Sequence, residues 1–302
     1  MVIPSHPVPS EAIQIRVRDL GIKRALDDYQ IVTRAYGVVR VNANAYRQLS
    51  RWLGGNIVAN AQRAREDLYA WLRMWNGELW LFRVATDAYV DFSPPDILNY
   101  VRSLIPDFEP IRAGSLYGRG VYMQEGAVYA EGVWGFREDG VVRGLWLRTG
   151  DDGYTAIRIR PFYLFPEEIS AVILPNRVSR RLHVREDTIL ERVRRDVDAS
   201  LATLRTFELG KLADYPVPFT VINNLARKVY DLPHKWRLIA PRYGENAYAL
   251  ALALGRCLTS ASAERRERIA RLLVLLTGDP QSFIEAYAQA DNRPRELEGQ
   301  PT

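Results

Sequence analysis

A chain of 302 residues that is 47% apolar and 11% aromatic can bury a sizeable core in one large domain or two ordinary ones, which excludes global disorder. A single cysteine, Cys257, excludes an internal disulfide, and no window approaches the ~18 uninterrupted apolar residues of a membrane span, so neither a secreted nor a membrane protein is expected. The formal charge of +5 and pI near 9.3 admit a polyanionic partner, although a GC-rich genome would produce the same excess of arginine over lysine.

Residues 1–11 are proline-rich and read as an N-terminal arm, with no basic start followed by an apolar run, so a cytoplasmic protein is expected. From Ala12 to Tyr36 short apolar groups mix with charge and define no firm element. Val38-Val-Arg-Val41 is a short strand, and Asn42 or Asn44 caps a helix to about Leu53 that puts Tyr46, Leu49, Trp52 and Leu53 on one face before Gly54-Gly55. Leu68–Trp75 and Glu78–Val84 flank Asn76-Gly77, the dipeptide that best supplies the two positive φ angles of a hairpin turn; the competing reading is a long helix over 57–75 with Gly77 as its C-cap. Ser93-Pro-Pro-Asp96 is a capping box with proline at N1, followed by Ile97, Leu98, Val101, Leu104 and Ile105 at helical spacing and stopped by Pro106.

Apolar and polar residues then alternate over 120–123, 127–134, 141–148 and 154–160, as in antiparallel strands of one sheet. After Pro175 the period changes to helical: Ile189, Leu190, Val193, Val197, Leu201 and Leu204 mark one helix, and 247–258 and 263–276 two more, the last closed by Gly278-Asp-Pro280. The fold class expected is therefore α+β, an antiparallel β-sheet with flanking helices followed by a helical C-terminal part. It divides into the arm 1–11, a sheet domain 12–180, a helical domain or subdomain 181–290 and a polar tail 291–302.

His6, His183 and His234 stand far apart and no Cys-x-x-Cys pair is present, so neither a metal nor another cofactor is expected. Cys257 lies in an alanine- and leucine-rich helix and reads as a small buried hydrophobe. Gly114-Ser-Leu-Tyr-Gly-Arg-Gly120 is either a phosphate cradle or a glycine-rich turn; it lacks the Lys-Ser/Thr ending of a P-loop and leads into a strand. Asp151-Asp152 and Glu167-Glu168 are the paired carboxylates available for acid/base chemistry or Mg²⁺, and each is also ordinary turn or loop chemistry.

The basic text offers more. Arg143, Arg148, Arg158 and Arg160 lie in or beside strands with Trp146 and Tyr154 near them, and Arg177, Arg180, Arg181 and Arg185 follow. Alternate strand positions share a face, so Arg158 and Arg160 point one way and Ile157 and Ile159 the other. Cations that hold phosphates beside rings that stack on bases make a nucleic-acid surface; the plain alternative is a solvated sheet face with a charged linker. Arg192, Arg194 and Arg195, and likewise Arg265, Arg266 and Arg268 with Glu264 and Glu267, read as the wet sides of their helices.

The order Trp75-Asn-Gly-Glu-Leu-Trp-Leu-Phe-Arg-Val-Ala-Thr-Asp-Ala-Tyr89, the helix from Ser93, Ala113-Gly-Ser-Leu-Tyr-Gly-Arg-Gly-Val-Tyr122, Leu145-Trp-Leu-Arg-Thr-Gly-Asp-Asp-Gly-Tyr-Thr-Ala-Ile157 and an Arg/His segment leading into a long helix resembles an uncharacterised family of phages, prophages and plasmids, catalogued as a domain of unknown function. The resemblance covers about residues 67 to 260. Family members usually read closer to Ser-His-Asp-Gly at the Gly150-Asp-Asp-Gly153 position and follow it with an Arg-x-x-Cys-x-Asn-like element, where this chain has Arg160-Pro-Phe-Tyr-Leu164. The resemblance implies a mobile-element protein and supplies no mechanism. A looser, fold-level analogy is to phage single-strand annealing proteins, which also combine a curved antiparallel sheet, helices and a basic groove.

The function expected is a non-enzymatic nucleic-acid-binding protein of a phage or mobile element, acting on single-stranded DNA by binding or annealing, in the host cytoplasm and as a homo-oligomer, with no membrane partner. The alternatives are a virion or other assembly protein, and a metal-dependent enzyme using Asp151, Asp152 or Glu168.

Overall fold

The computed structural model describes residues 11–27, 29–87, 92–175 and 186–289. The polar tail and all of the arm but Glu11 lie outside them. The chain begins with β1 (Ile13–Arg16), a one-turn helix α1 (Val17–Leu20), β2 (Ile22–Asp27), β3 (Gln30–Thr33), β4 (Gly37–Val41), α2 (Ala43–Leu53), α3 (Ile57–Ala61), β5 (Leu68–Trp75) and β6 (Glu78–Thr86). These strands form a six-stranded sheet in the order β1-β5-β6-β4-β3-β2, antiparallel except where β4 runs parallel to β6. Asn42 caps α2, its side-chain oxygen accepting from the Asn44 N–H at 2.8 Å. Ile31, Val39, Val41, Leu72 and Leu81 project from one face of the sheet into a core closed by Ala45, Leu49 and Leu53 of α2 and Ile57 of α3.

Asn76 and Gly77 have φ of 51° and 78°, the type I′ turn that the dipeptide favours, and the same pair of signs recurs at Glu125-Gly126 and Asp139-Gly140 between later strands. The long-helix reading of 57–75 does not hold: α3 stops at Ala61, and the aromatic run from Tyr69 pairs as a strand with β6.

There follow α4 (Pro94–Leu104), β7 (Glu109–Pro110), β8 (Arg112–Ala113), β9 (Leu116–Tyr117), β10 (Gly120–Gln124), β11 (Ala127–Glu138), β12 (Val141–Gly150), β13 (Arg158–Phe165) and β14 (Ser170–Ile173), then α5 (Glu186–Thr206), a 3-10 turn at Leu209–Asp214, α6 (Phe219–Ala226), α7 (Leu232–Tyr243), α8 (Ala247–Ser260), α9 (Ala263–Gly278) and α10 (Pro280–Ala288). The second sheet is antiparallel in the order β10-β11-β12-β13-β14, with β7 added beside β11. Its strands and the helices from α4 to α10 share one apolar core. A small cluster of Trp71, Phe82, Ala127 and Tyr129 joins the two sheets. This is the α+β class, with helices flanking antiparallel and mixed sheets and a helical C-terminal region. No helix among the described residues is long and apolar enough to cross a membrane.

One strand is displaced from its expected position. The strand read over 154–160 starts at Arg158 and continues through Phe165, because Asp152 bends the chain ahead of it: its Oδ1 accepts the backbone N–H groups of Tyr154 and Thr155 at 2.9 and 2.6 Å.

Candidate nucleic-acid interface

Strand register decides which arginines share a surface. Gly120, Glu131, Arg148 and Arg158 stand opposite one another across β10 to β13, and Val133, Trp146 and Arg160 form the next row. One face of the sheet therefore carries Glu131, Trp146, Arg148, Arg158 and Arg160. Helix α9 crosses this face with Arg266, Glu267 and Arg271. Glu267 accepts a bidentate pair from Arg160, Nη1 at 2.9 Å and Nη2 at 2.7 Å, and a short hydrogen bond from Arg158. Arg271 lies at 3.4 Å and Arg148 at 3.9 Å from the same carboxylate. Glu131 accepts the Trp146 indole N–H at 3.0 Å and lies 3.5 Å from Arg266, which also donates to the Ser115 carbonyl at 2.7 Å.

The cluster extends to the sheet edge. Tyr122 on β10 stacks on Tyr129 of β11 with centroids 5.4 Å apart, and the Arg119 guanidinium lies 4.0 Å above the Tyr122 ring. Burial raises the Tyr122 hydroxyl, and Glu131 adds to that; the charges of Arg148, Arg119 and Arg266 oppose it. Five guanidiniums, of Arg148, Arg158, Arg160, Arg266 and Arg271, thus gather about the carboxylates of Glu131 and Glu267, and Arg119 adds a sixth cation at the edge, over the Tyr122 ring. Burial alone would raise the Glu267 carboxyl, but the Arg160 hydrogen bonds and the charges of Arg160, Arg158 and Arg148 hold it down to about 2. Glu267 is ionised at any ordinary pH and positive charge remains in excess. The Arg271 side chain is 64% exposed and Arg119 is also exposed, so the surplus reaches water there.

The structure redistributes the residues that the sequence grouped together. Arg148, Arg158 and Arg160 do meet on one surface, with Ile157 and Ile159 buried beneath. Arg143 does not join them: it stands opposite Tyr163 on the other face, pairs with Glu138 at 3.0 Å and donates to the Leu204 carbonyl of α5. Trp146 is 1% exposed, lies 5.2 Å below the Arg160 guanidinium and spends its N–H on Glu131, so it is a core residue and cannot stack on a base. Tyr154 is half-buried in the loop bent around Asp152, with no ring or side-chain contact to the arginines among the described residues. Arg177, Arg180, Arg181 and Arg185 lie outside the described residues. Arg266, read as solvated, is buried. The rings at this surface are Tyr122 and Tyr117, the latter exposed with Arg112 5.3 Å over it.

The acidic candidates have structural partners. Asp151 takes Arg73 at 2.9 Å and the Val128 N–H at 2.7 Å; burial raises its carboxyl against those contacts. Asp152 accepts from Asn44, the Tyr129 hydroxyl and Thr155 as well as from its own loop, which makes Asp151-Asp152 the joint between the two sheets. Glu168 is 4% exposed and held by Arg242 at 2.7 Å and the Tyr243 hydroxyl at 2.9 Å. Among the described residues no three His, Cys, Asp or Glu side chains come together as a metal site. The loop at Gly114 is a turn: Ser115 N–H donates to the Thr259 carbonyl at 2.6 Å, and a Cβ on Gly114 would collide with that same oxygen. Compared with known proteins, the chain matches no family model, no curated protein and no solved structure.

Proposed function

We propose that the protein is a non-enzymatic nucleic-acid-binding protein that holds phosphates, without reading bases, on the arginine surface over β10 to β13 and α9. The observation that carries this reading is the gathering of five guanidiniums about two carboxylates, with Arg271 turned to solvent and the exposed Arg119 beside them over the Tyr122 ring. The two glutamates set the arginines in place beforehand, so a phosphate meets oriented donors at little ordering cost. Tyr117 supports single-stranded ligands, because an exposed ring beside basic side chains stacks on bases of any sequence; Tyr122 is half-buried between Tyr129 and Arg119 and serves to place that arginine. A phage or mobile-element setting in the host cytoplasm rests on the sequence resemblance. Fluorescence anisotropy of labelled oligonucleotides tests the site: Arg119→Ala with Arg271→Ala should lower the slope of log K against log salt by about 1.4 for a single strand. Slope and affinity equal to those of the unaltered protein would place binding elsewhere.

A second reading, an assembly or virion protein, is favoured by one observation: Leu26, Tyr29, Tyr36 and Val38 are exposed around β2 to β4, with Val38 at 58% and Tyr29 at 55%. Those side chains also support a homo-oligomer, and the native mass of the free protein tests that part.

A further inference from the structure

A second group of cations lies on α7 and on the segment that joins it to α6. From Arg227 to Arg242 the sequence places Arg227, Lys228, Lys235, Arg237 and Arg242 against one acid, Asp231. Helix α7 turns Leu232, Trp236, Ile239 and Ala240 into the core, so helical spacing puts His234, Arg237, Leu238, Pro241 and Arg242 on its outer face and the half-buried Lys235 on its flank. Arg242 leans back to Glu168, and Lys228 lies 5.6 Å from the Tyr287 ring. No carboxylate among the described residues lies within ion-pair distance of Lys228, Lys235 or Arg237. Immediately before the Asp231 cap, Tyr230 is 88% exposed, the most exposed of the large hydrophobic side chains described. A ring held there gains nothing from the core. These cations differ from those over Glu267, which are already committed to a carboxylate.

We infer that the α6–α7 surface is a second binding site for nucleic acid, on which Lys228, Lys235 and Arg237 hold the phosphates of a single strand while Tyr230 stacks on one of its bases. The inference rests on the nucleic-acid reading above and adds a site to it. Cations that hold no carboxylate match a polyanion without first breaking an ion pair, and a free tyrosine face suits unstacked bases in a way that a closed duplex does not. An anionic lipid surface fits less well: a helix lying in a membrane interface offers it a broad apolar face, and the broad apolar face of α7 is already buried in the core.

The test uses the full chain and a labelled oligothymidylate strand, with affinity measured over a range of salt concentrations. Replacing Lys228, Lys235 and Arg237 together by Ala should lower the slope of log K against log salt by about 2. Tyr230→Ala should weaken binding roughly 5- to 140-fold with the slope unchanged, and Tyr230→Phe should bind as the unaltered protein does. All these side chains are outside the core, so thermal unfolding should not move. If the Tyr230 and triple variants bind normally while Arg119→Ala with Arg271→Ala loses affinity, this inference is wrong and the first site stands. If the unaltered protein binds no strand, both fall. Loss of binding to phosphatidylserine vesicles in the triple variant, with strand binding intact, would assign the surface to lipid and overturn the inference.

Discussion

Replacing Glu267 by glutamine keeps the size of the side chain and removes the charge about which Arg148, Arg158, Arg160 and Arg271 gather. The Glu267 side chain is 14% exposed and those of Arg160, Arg158 and Arg148 are 11%, 21% and 22% exposed, so three guanidiniums would face one another with little water to screen them. The carboxyl falls from an ordinary 4.5 to about 2, which corresponds to about 3 kcal/mol of stability at neutral pH. Breaking a buried pair from one side typically costs about 3 to 5 kcal/mol, in agreement. Because the folded-state value is the depressed one, this contribution is complete above about pH 4.5 and is lost as the pH falls toward 2. Urea titrations followed by tryptophan fluorescence should therefore show E267Q less stable by about 3 kcal/mol near pH 7, with a gap that narrows below about pH 4.5. Sulfate should restore part of the loss in E267Q by neutralising the arginines. Equal midpoints near neutral pH, or a gap that widens on acidification, would refute the assignment of Glu267 as the keystone of the cluster.

Trp146→Ala should lose about 3 to 5 kcal/mol in denaturant titrations, as a buried ring does; a normal fold with selectively weakened strand binding would return Trp146 to the surface. Asp152→Ala removes the acceptor for Asn44, Tyr129 and Thr155 at the joint between the sheets, and a loss of less than about 1 kcal/mol would show that the joint is dispensable. Asp196 on α5 is 4% exposed, its Oδ1 has no hydrogen-bond partner, and burial lifts its carboxyl to about 6. The folded state there keeps its proton longer than the unfolded chain, so Asp196 lowers stability as the pH rises from 3.8 through about 6. Asp196→Asn should accordingly gain on the unaltered protein across that range in thermal melts, and a pH-independent difference would refute the assignment. Cys257 is buried, which pushes its thiol up to about 12, so a thiol reagent at mildly alkaline pH should label it only as fast as the chain unfolds.

Local chemistry made part of this fold legible. Asn42, Asn76-Gly77 and Ser93-Pro-Pro-Asp96 act within a few residues of themselves, and each produces the cap or turn that its residue types dictate. The elements that escaped are short or interrupted: β1 and β3 have four residues each, α7 carries Pro241 in its interior, and the Asp152 turn delays β13. The candidate site was half legible. Period-two alternation put Arg158 and Arg160 on one side, and the same rule, carried one strand back, separates Arg143 from Arg148 because they differ by an odd number of positions. Glu267 is visible in the sequence only as a charge among its helical neighbours; its strand partners Arg158 and Arg160 are more than a hundred residues away, and nothing local signals such a pairing. Nothing local marks Arg119 and Tyr122, whose place at this surface depends on β10 lying beside β11.

The most direct test of the account is the affinity of the unaltered protein for single- and double-stranded oligonucleotides of several sequences as a function of salt. The arginine surface predicts measurable binding at ~50 mM salt that varies little with sequence and falls linearly in log K against log salt. No affinity for either kind of strand at ~50 mM salt, where electrostatic attraction is strong, would contradict it and leave the arginines as partners of Glu267 and Glu131 alone.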